Sequence, residues 1–255
     1  MTSSLAYLRP TSMSVADNHH NPSFIHHQKT LSSALVREVV FGIEDGMVST
    51  MGAVTGIAAA TVHHYTVVLA GLVIISVESI SMAVGSYLSS KSEREIEERK
   101  LHEERSEIKD FPREEEEELA EMYVHDGWPA ELAEPMAKAA ASNHSLLLQE
   151  MAYRELKIIP EKLEHPLSNA LAMGVSYIIG SLLSLLPYLF INNVLLALPV
   201  AIVGTLVGLF IIGIVAARFA RRSWWKGGLE MLVLASAAGF IGYIVGQAAD
   251  KAIVH

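Results

Sequence analysis

The chain contains no cysteine among its 255 residues. Disulfide bonds and thiolate metal sites are therefore excluded, so any bound metal must be held by carboxylate, imidazole, thioether or backbone oxygen ligands. Basic residues are also scarce, since 19 Lys and Arg stand against 28 Asp and Glu, for a net charge of −9. This excess of negative charge favours cations as partners and argues against nucleic acid.

The first 30 residues lack the apolar run of a secretory signal peptide. We expect residues 1–32 to form a disordered polar tail. The pairs His19-His20 and His26-His27 lie in this tail, and weak metal binding by them is left open.

Apolar residues are abundant, at 51% of the chain with a mean hydropathy of +0.33. Five apolar runs approach or exceed the ~20 residues that a helix needs to cross a ~30 Å hydrocarbon core. We therefore predict an all-α, polytopic membrane protein with five transmembrane helices embedded in a lipid bilayer. The predicted spans are residues 33–62, 66–89, 167–190, 194–219 and 227–253.

A highly charged segment, residues 90–166, separates spans two and three and is called the insert below. Between residues 91 and 121 it holds 14 acids and 7 bases, which is half of all the acids in the chain. Breaker residues divide it into three predicted helices, at 91–109, 113–125 and 130–159. The predicted organisation is thus the tail (1–32), spans one and two (33–89), the insert (90–166) and spans three to five (167–255).

Basic residues in the loops predict the orientation of the protein. The loop after span four carries Arg218, Arg221, Arg222 and Lys226, whereas the turns at 63–65 and 191–193 carry no Lys or Arg. We expect a cytosolic N-terminus and a cytosolic insert. The modest length and the lack of a targeting peptide suit a bacterial plasma membrane, while a vacuolar or other endomembrane location stays open.

Two spans carry acids at positions that lipid disfavours. Glu44 and Asp45 lie in span one and Glu78 lies in span two. A charge at such a depth costs a few kcal/mol on insertion scales, so these residues should face the bundle interior or a wet path. Met82 shares a helix face with Glu78, and a thioether beside carboxylates favours Fe²⁺, Mn²⁺, Co²⁺ or Zn²⁺ over Mg²⁺. Simple packing is the alternative role for Met82.

Span one also contains two pairs of glycines spaced four residues apart, Gly42 with Gly46 and Gly52 with Gly56. This spacing permits close approach of two helices. It predicts either dimerisation through span one or packing within one subunit, and the sequence does not choose between them.

Three pairs of residues in the insert have spacings that place both side chains on one helix face. They are Glu104 and Glu107, Glu115 and Glu118, and Met151 and Glu155. Three helices could therefore bring three acidic faces together around a metal ion. The alternative is a solvated charged surface, because the interleaved bases can form ion pairs, but five consecutive glutamates at 114–118 repel one another unless a cation collects there.

The order of these motifs resembles the vacuolar iron transporter family. Its elements are Gly-x-x-Asp-Gly at 42–46, Ser-Met-x-x-Gly-x-Tyr at 81–87 leading into Lys-Ser-Glu at 91–93, the glutamate-rich insert and three plainer spans. The resemblance covers about residues 35–247. It implies five spans per subunit, a homodimer and proton-coupled export of Fe²⁺ or Mn²⁺ from the cytosol, with the ion as cargo rather than a resident cofactor.

The resemblance also implies roles for particular residues. Asp45 and Met82 would line the translocation path, and the three pairs in the insert would form a cytosolic metal-collecting site. One position departs from the family, whose members often carry an acid eight residues before the methionine. That position is Ile74 here, and Glu78 lies one turn later on the same face.

Two rival functions belong to other classes. A membrane metal sensor or buffer that does not transport would need the insert but not Asp45. A membrane enzyme that uses the carboxylates for hydrolysis lacks support, because the sequence has neither a nucleophile motif nor a set of His and Ser residues to accompany it. We therefore expect a protein that is not an enzyme.

Overall fold

The computed structural model describes residues 33–61, 63–160, 163–233 and 235–237. The predicted tail with its histidine pairs and most of the predicted fifth span lie outside these residues. The described chain is all-helical, as predicted, with residues 224–233 and 235–237 helical in addition to seven longer helices. These are α1 Ser33–Ala60, α2 His64–Asp110, α3 Pro112–His125, α4 Ala130–Ala141, α5 His144–Arg154, α6 Pro166–Phe190 and α7 Val194–Phe219.

Among the described helices, α2, α6 and α7 are long and apolar enough to cross a membrane. Helix α1 is slightly longer than α6 and α7, with 28 residues, but Glu44 and Asp45 make its centre more polar. Large apolar side chains such as Val77 on α2 and Val203 on α7 are exposed on the outside of the bundle. Exposed apolar surface of this extent is typical of contact with lipid.

Helices α1, α2, α6 and α7 form one bundle, in which α6 packs against all three of the others. Glycines bring α1 and α6 together, because a Cβ on Gly46 would lie 2.3 Å from the Tyr177 carbonyl oxygen and a Cβ on Gly180 would lie 2.2 Å from that of Ile43. The first glycine pair of span one therefore packs within the subunit. A Cβ on Gly52 or Gly56 would meet nothing within 4 Å, so the second pair leaves its face of α1 open.

Helix α2 joins the membrane bundle to the insert without a break. Its 47 residues extend about 70 Å at 1.5 Å per residue, roughly twice the thickness of the hydrocarbon core. The second predicted span and the first predicted insert helix are thus one helix. The second half of α2 forms exposed ion pairs, including Arg94 Nε to Glu98 Oε1 at 2.7 Å. Many acids of the insert are therefore explained by a solvated charged surface.

The prediction of a single helix over residues 130–159 is wrong. The chain forms α4 and α5, separated at Ser142 and Asn143. The Asn143 side chain accepts hydrogen bonds from the backbone N–H groups of Ser145 and Leu146. This N-cap starts α5 and prevents α4 from continuing. Helix α5 ends at Arg154, and Lys157 has a positive φ of 57°, which stops helical continuation.

Candidate metal sites

Five glutamates converge where α2, α3 and the end of α5 meet, and we call them the carboxylate cup. They are Glu104, Glu107, Glu115, Glu118 and Glu155. Glu104 and Glu115 are buried, with only 2% and 6% of their surface exposed, whereas the other three lie at the exposed rim. The cup therefore has a buried floor of two carboxyl groups and an open edge from which an ion can enter.

The floor of the cup contains unsatisfied oxygens. Glu104 Oε1 and Glu115 Oε2 are buried without a hydrogen-bond partner in the described structure. A buried polar atom left unpaired costs roughly 1–3 kcal/mol, so such atoms need an explanation. Two carboxylate oxygens that lack protein donors are suited to accept a cation.

Burial and neighbouring carboxylates raise the pKa of three glutamates of the cup. Burial and the nearby carboxylate of Glu155 raise the pKa of Glu104 to about 8. Burial, Glu118 and Glu155 raise the pKa of Glu115 to about 7, and burial together with Glu155 also raises the pKa of Glu118. In the absence of metal, the floor thus retains protons at neutral pH that an arriving cation would displace, as is general for metal binding to protonated ligands.

Met151 lies in the apolar core beneath the cup and is fully buried against residues such as Leu119 and Leu147. Its packing role is therefore evident, while its predicted role as a ligand stays a prediction. Among the residues that the structure describes, no group of three or more acidic or histidine side chains is arranged to hold a metal ion together. The cup is a set of neighbouring carboxyl groups that would have to close around an ion.

The guanidinium group of Arg154 links α5 to α3 next to the cup, and the sequence analysis did not single out this residue. Arg154 Nε donates to Glu150 Oε2 at 3.0 Å, and the guanidinium group also pairs with Asp126. The same group lies 4.4 Å from the ring centroid of Tyr123, whose hydroxyl donates to Glu150 Oε2 at 3.1 Å. These contacts join α5 to the end of α3 one residue before Glu155.

A second group of polar side chains lies within the membrane bundle, and we call it the membrane polar cluster. It consists of Asp45 and Ser49 on α1, Glu78 on α2 and Tyr177 on α6. Ser49 Oγ donates to Glu78 Oε2 at 3.1 Å, and the Tyr177 hydroxyl donates to the same oxygen. Asp45 lies close enough to Glu78 for the two carboxylates to interact electrostatically.

The structure thus brings Asp45 and Glu78 together and adds two hydroxyl groups that the sequence did not single out. Met82 lies one turn beyond Glu78 on α2 and is half-buried, so its role as a ligand remains a prediction. The sequence offered a signal for Ser49, which lies one turn after Asp45. The only sequence signal for Tyr177 is the presence of a hydroxyl group within an otherwise apolar span.

Glu38, near the start of α1, is a further buried acid. Its side chain is 6% exposed. Ser86 Oγ donates to Glu38 Oε2 at 2.8 Å, and Arg37 pairs with Oε1 at 3.3 Å. Both oxygens of this carboxylate therefore have protein partners, unlike those at the floor of the cup.

Comparisons with known proteins identify the family of this chain. The model of the VIT family matches residues 36–247. Vacuolar iron transporter 1 of Oryza sativa subsp. japonica is 28% identical, over 91% of this chain and 90% of its own length. Vacuolar iron transporter 1 of Arabidopsis thaliana is 28% identical over 91% and 92% of the two chains, and Vacuolar iron transporter 2 of Oryza sativa subsp. japonica is 30% identical over 81% and 85%. The resemblance seen in the motifs is confirmed: this chain is an integral membrane protein that belongs to the VIT family.

Proposed function

We propose that this protein is a secondary transporter that exports Fe²⁺ or Mn²⁺ from the cytosol in exchange for protons. The single observation that carries the proposal is the buried floor of the carboxylate cup. There, Glu104 and Glu115 each present an oxygen without a partner and each have a raised pKa. Membership in the VIT family and the names of its relatives support a metal ion as the cargo.

The cup loads the ion. Rim carboxylates attract a divalent cation, which displaces the protons held by Glu104 and Glu115. Carboxylate ligands with the nearby thioether of Met151 favour Fe²⁺ and Mn²⁺, with Zn²⁺ and Co²⁺ as further candidates. Loading raises the local concentration of the ion beside the outer half of α2, the helix whose first half is apolar enough to span the membrane.

The membrane polar cluster carries the ion onward. Asp45, Glu78 and Met82 lie on the two helices that contribute acids to the bundle interior. A carboxylate in a membrane span marks an ion or proton pathway by default. Asp45 and Glu78 take up protons from the far side once the ion leaves, and this exchange couples export to the proton gradient.

The surroundings of these sites complete the proposal. Basic residues after α7 favour a cytosolic insert, and the names of the relatives favour a vacuolar membrane over the bacterial plasma membrane expected from the sequence. Gly52 and Gly56 form an open face of small residues on α1, which suits a homodimer formed through span one.

Transport into proteoliposomes tests the proposal. We expect uptake of Fe²⁺ and Mn²⁺ by the wild-type protein, competition by Zn²⁺ and Co²⁺, and loss of uptake on collapse of the pH gradient. Asp45→Ala should abolish uptake while the cup still binds metal, whereas Asp110→Asn, at the exposed end of α2, should leave uptake intact. Uptake that ignores the pH gradient would refute the exchange with protons, and metal binding by the wild type without uptake would instead favour a membrane metal sensor or buffer.

A further inference from the structure

We propose that Ser49 and Tyr177 are positioning residues, which orient the Glu78 carboxylate so that it forms a cation site with Asp45 inside the membrane. This inference rests on the proposed function and deepens it. It assigns roles to two hydroxyl groups and defines how Glu78 can act together with Asp45.

Three helices meet at a single carboxylate oxygen. Ser49 on α1 and Tyr177 on α6 both donate to Glu78 Oε2, and the two hydroxyl oxygens lie 2.5 Å apart. Within the part of the chain that the structure describes, both hydrogen bonds from protein end on Oε2. Oε1 therefore stays open to a cation while Oε2 is held.

Tyr177 cannot turn away from this position. Its side chain is fully buried, and its backbone is pressed against α1, since a Cβ on Gly46 would lie 2.3 Å from its carbonyl oxygen. The close contact of α1 and α6 thus sets the depth at which the hydroxyl reaches Glu78. A glutamate carboxyl group rotates easily about its last side-chain bond, so a fixed donor determines which oxygen faces Asp45.

Donors that orient a ligating carboxylate have large effects on metal affinity. Loss of such a hydrogen bond typically weakens metal binding 10–100-fold. Asp45 is close enough to Glu78 to interact with it electrostatically, so a divalent cation between them would neutralise two like charges at once. Misplacing one carboxylate removes that benefit even though both acids remain.

A double-mutant cycle distinguishes positioning from a general contribution to stability. The variants are Tyr177→Phe, Glu78→Gln and their combination, with Tyr188→Phe as the matched control. Tyr188 lies on the same helix and is 1% exposed, but its hydroxyl has no hydrogen-bond partner in the described structure. We expect Tyr177→Phe to raise KM for Mn²⁺ uptake 10–100-fold, and Tyr188→Phe to leave KM unchanged.

In the Glu78→Gln background, Tyr177→Phe should change KM less than twofold, because the oriented group is already lost. Independent, multiplying effects of the two substitutions, or an equal effect of Tyr188→Phe, would overturn the inference. Ser49→Ala provides a second variant if Tyr177→Phe folds poorly, and it should raise KM in the same direction. An unchanged KM in a folded Ser49→Ala protein would also count against positioning.

A binding measurement separates this inference from the proposed function. Binding of Mn²⁺ followed by electron paramagnetic resonance, in full-length protein whose cup carries Glu104→Gln and Glu115→Gln, reports on the membrane polar cluster without transport. Weaker binding on adding Tyr177→Phe supports positioning even if proteoliposomes show no uptake, in which case only the proposed export fails. Binding that Tyr177→Phe does not alter would refute positioning whatever the transport assay shows.

Discussion

Replacing Glu104 with glutamine should change stability and metal binding in opposite directions. The side chain is buried on α2 with one oxygen unpartnered. In the absence of metal, burial and neighbouring carboxylates raise its pKa to about 8. Glutamine has nearly the same shape as glutamate but no ionisable carboxyl group. The metal-free protein should therefore be more stable with glutamine, whereas metal binding should weaken because one carboxylate ligand is lost.

The pH dependence of that gain follows from proton linkage. The folded protein retains the Glu104 proton up to a pKa of about 8, whereas the unfolded chain releases it near the ordinary glutamate pKa of 4.5. Stability of the wild type therefore falls as pH rises from about 4.5 to about 8, and it levels off above that. One such group contributes a slope of at most about 1.4 kcal/mol per pH unit, and Glu104→Gln lacks this slope.

Thermal unfolding of the chelator-treated, full-length protein in detergent measures the difference. Trp128, just after α3, can report on the insert by its fluorescence. The advantage of Glu104→Gln over the wild type should grow by up to about 3 kcal/mol between pH of about 5.5 and 7.5. Added Mn²⁺ should reverse the order, because a ligand stabilises only the protein that binds it.

The matched control is Glu103→Gln. Glu103 is the adjacent residue on α2, but its side chain is 56% exposed and forms a surface pair with Arg99 at 3.8 Å. Surface pairs of this kind contribute at most about 1 kcal/mol, so we expect little change at any pH. A stability difference for Glu104→Gln that stays constant from acidic to alkaline pH would refute the linkage.

Three further outcomes follow from the same contacts. The affinity of the cup for Mn²⁺ should rise with pH, because protons must leave Glu104 and Glu115 before the ion binds. The increase should be up to about 100-fold per pH unit below pH of about 7, where two protons leave, and about tenfold per unit from there to pH of about 8. Equilibrium dialysis at several pH values measures the affinity, and an affinity that does not change with pH would contradict the protonated floor. Arg154→Gln should weaken Mn²⁺ binding because the end of α5 loses its brace, whereas Arg113→Gln, which breaks only an exposed pair at 3.1 Å, should not; equal affinities would count against the brace. Gly46→Ala should reduce the yield of folded protein because its Cβ would meet the α6 backbone, whereas Gly204→Ala on α7, whose Cβ would meet nothing within 4 Å, should be tolerated. Size-exclusion profiles of the two variants compare them.

Patterns of charge and hydropathy predicted the helical class and the separation of spans from insert. Apolar runs of spanning length require helices, so α6 and α7 begin and end close to the predicted residues. The break between α4 and α5 was missed because the apolar pattern continues across it. The Asn143 side chain caps the start of α5 and so ends α4 despite that pattern. Whether the chain forms such a cap depends on local backbone geometry, which the apolar pattern does not show.

Spacing along a helix indicated which acids share a face, but it could not rank them. Glu104 and Glu107 were equivalent in sequence, yet the first is buried and the second is exposed. That difference depends on how α3 and α5 cover α2. Likewise, the meeting of Tyr177 with Glu78, 99 residues earlier in the chain, depends on tertiary packing that no local spacing encodes.

Because α2 is one unbroken helix, a tilt of its membrane-spanning part also moves the part that carries Glu104. Glu104 follows Glu78 by 26 residues on this helix, which separates them by about 39 Å along its axis. With the pivot at the membrane polar cluster, a tilt of about 5° would sweep the α2 wall of the cup sideways by roughly 3 Å at that distance. A displacement of that size is comparable to a metal–ligand distance of about 2 Å, so a small tilt of the span would be enough to open or close the cup around its ion.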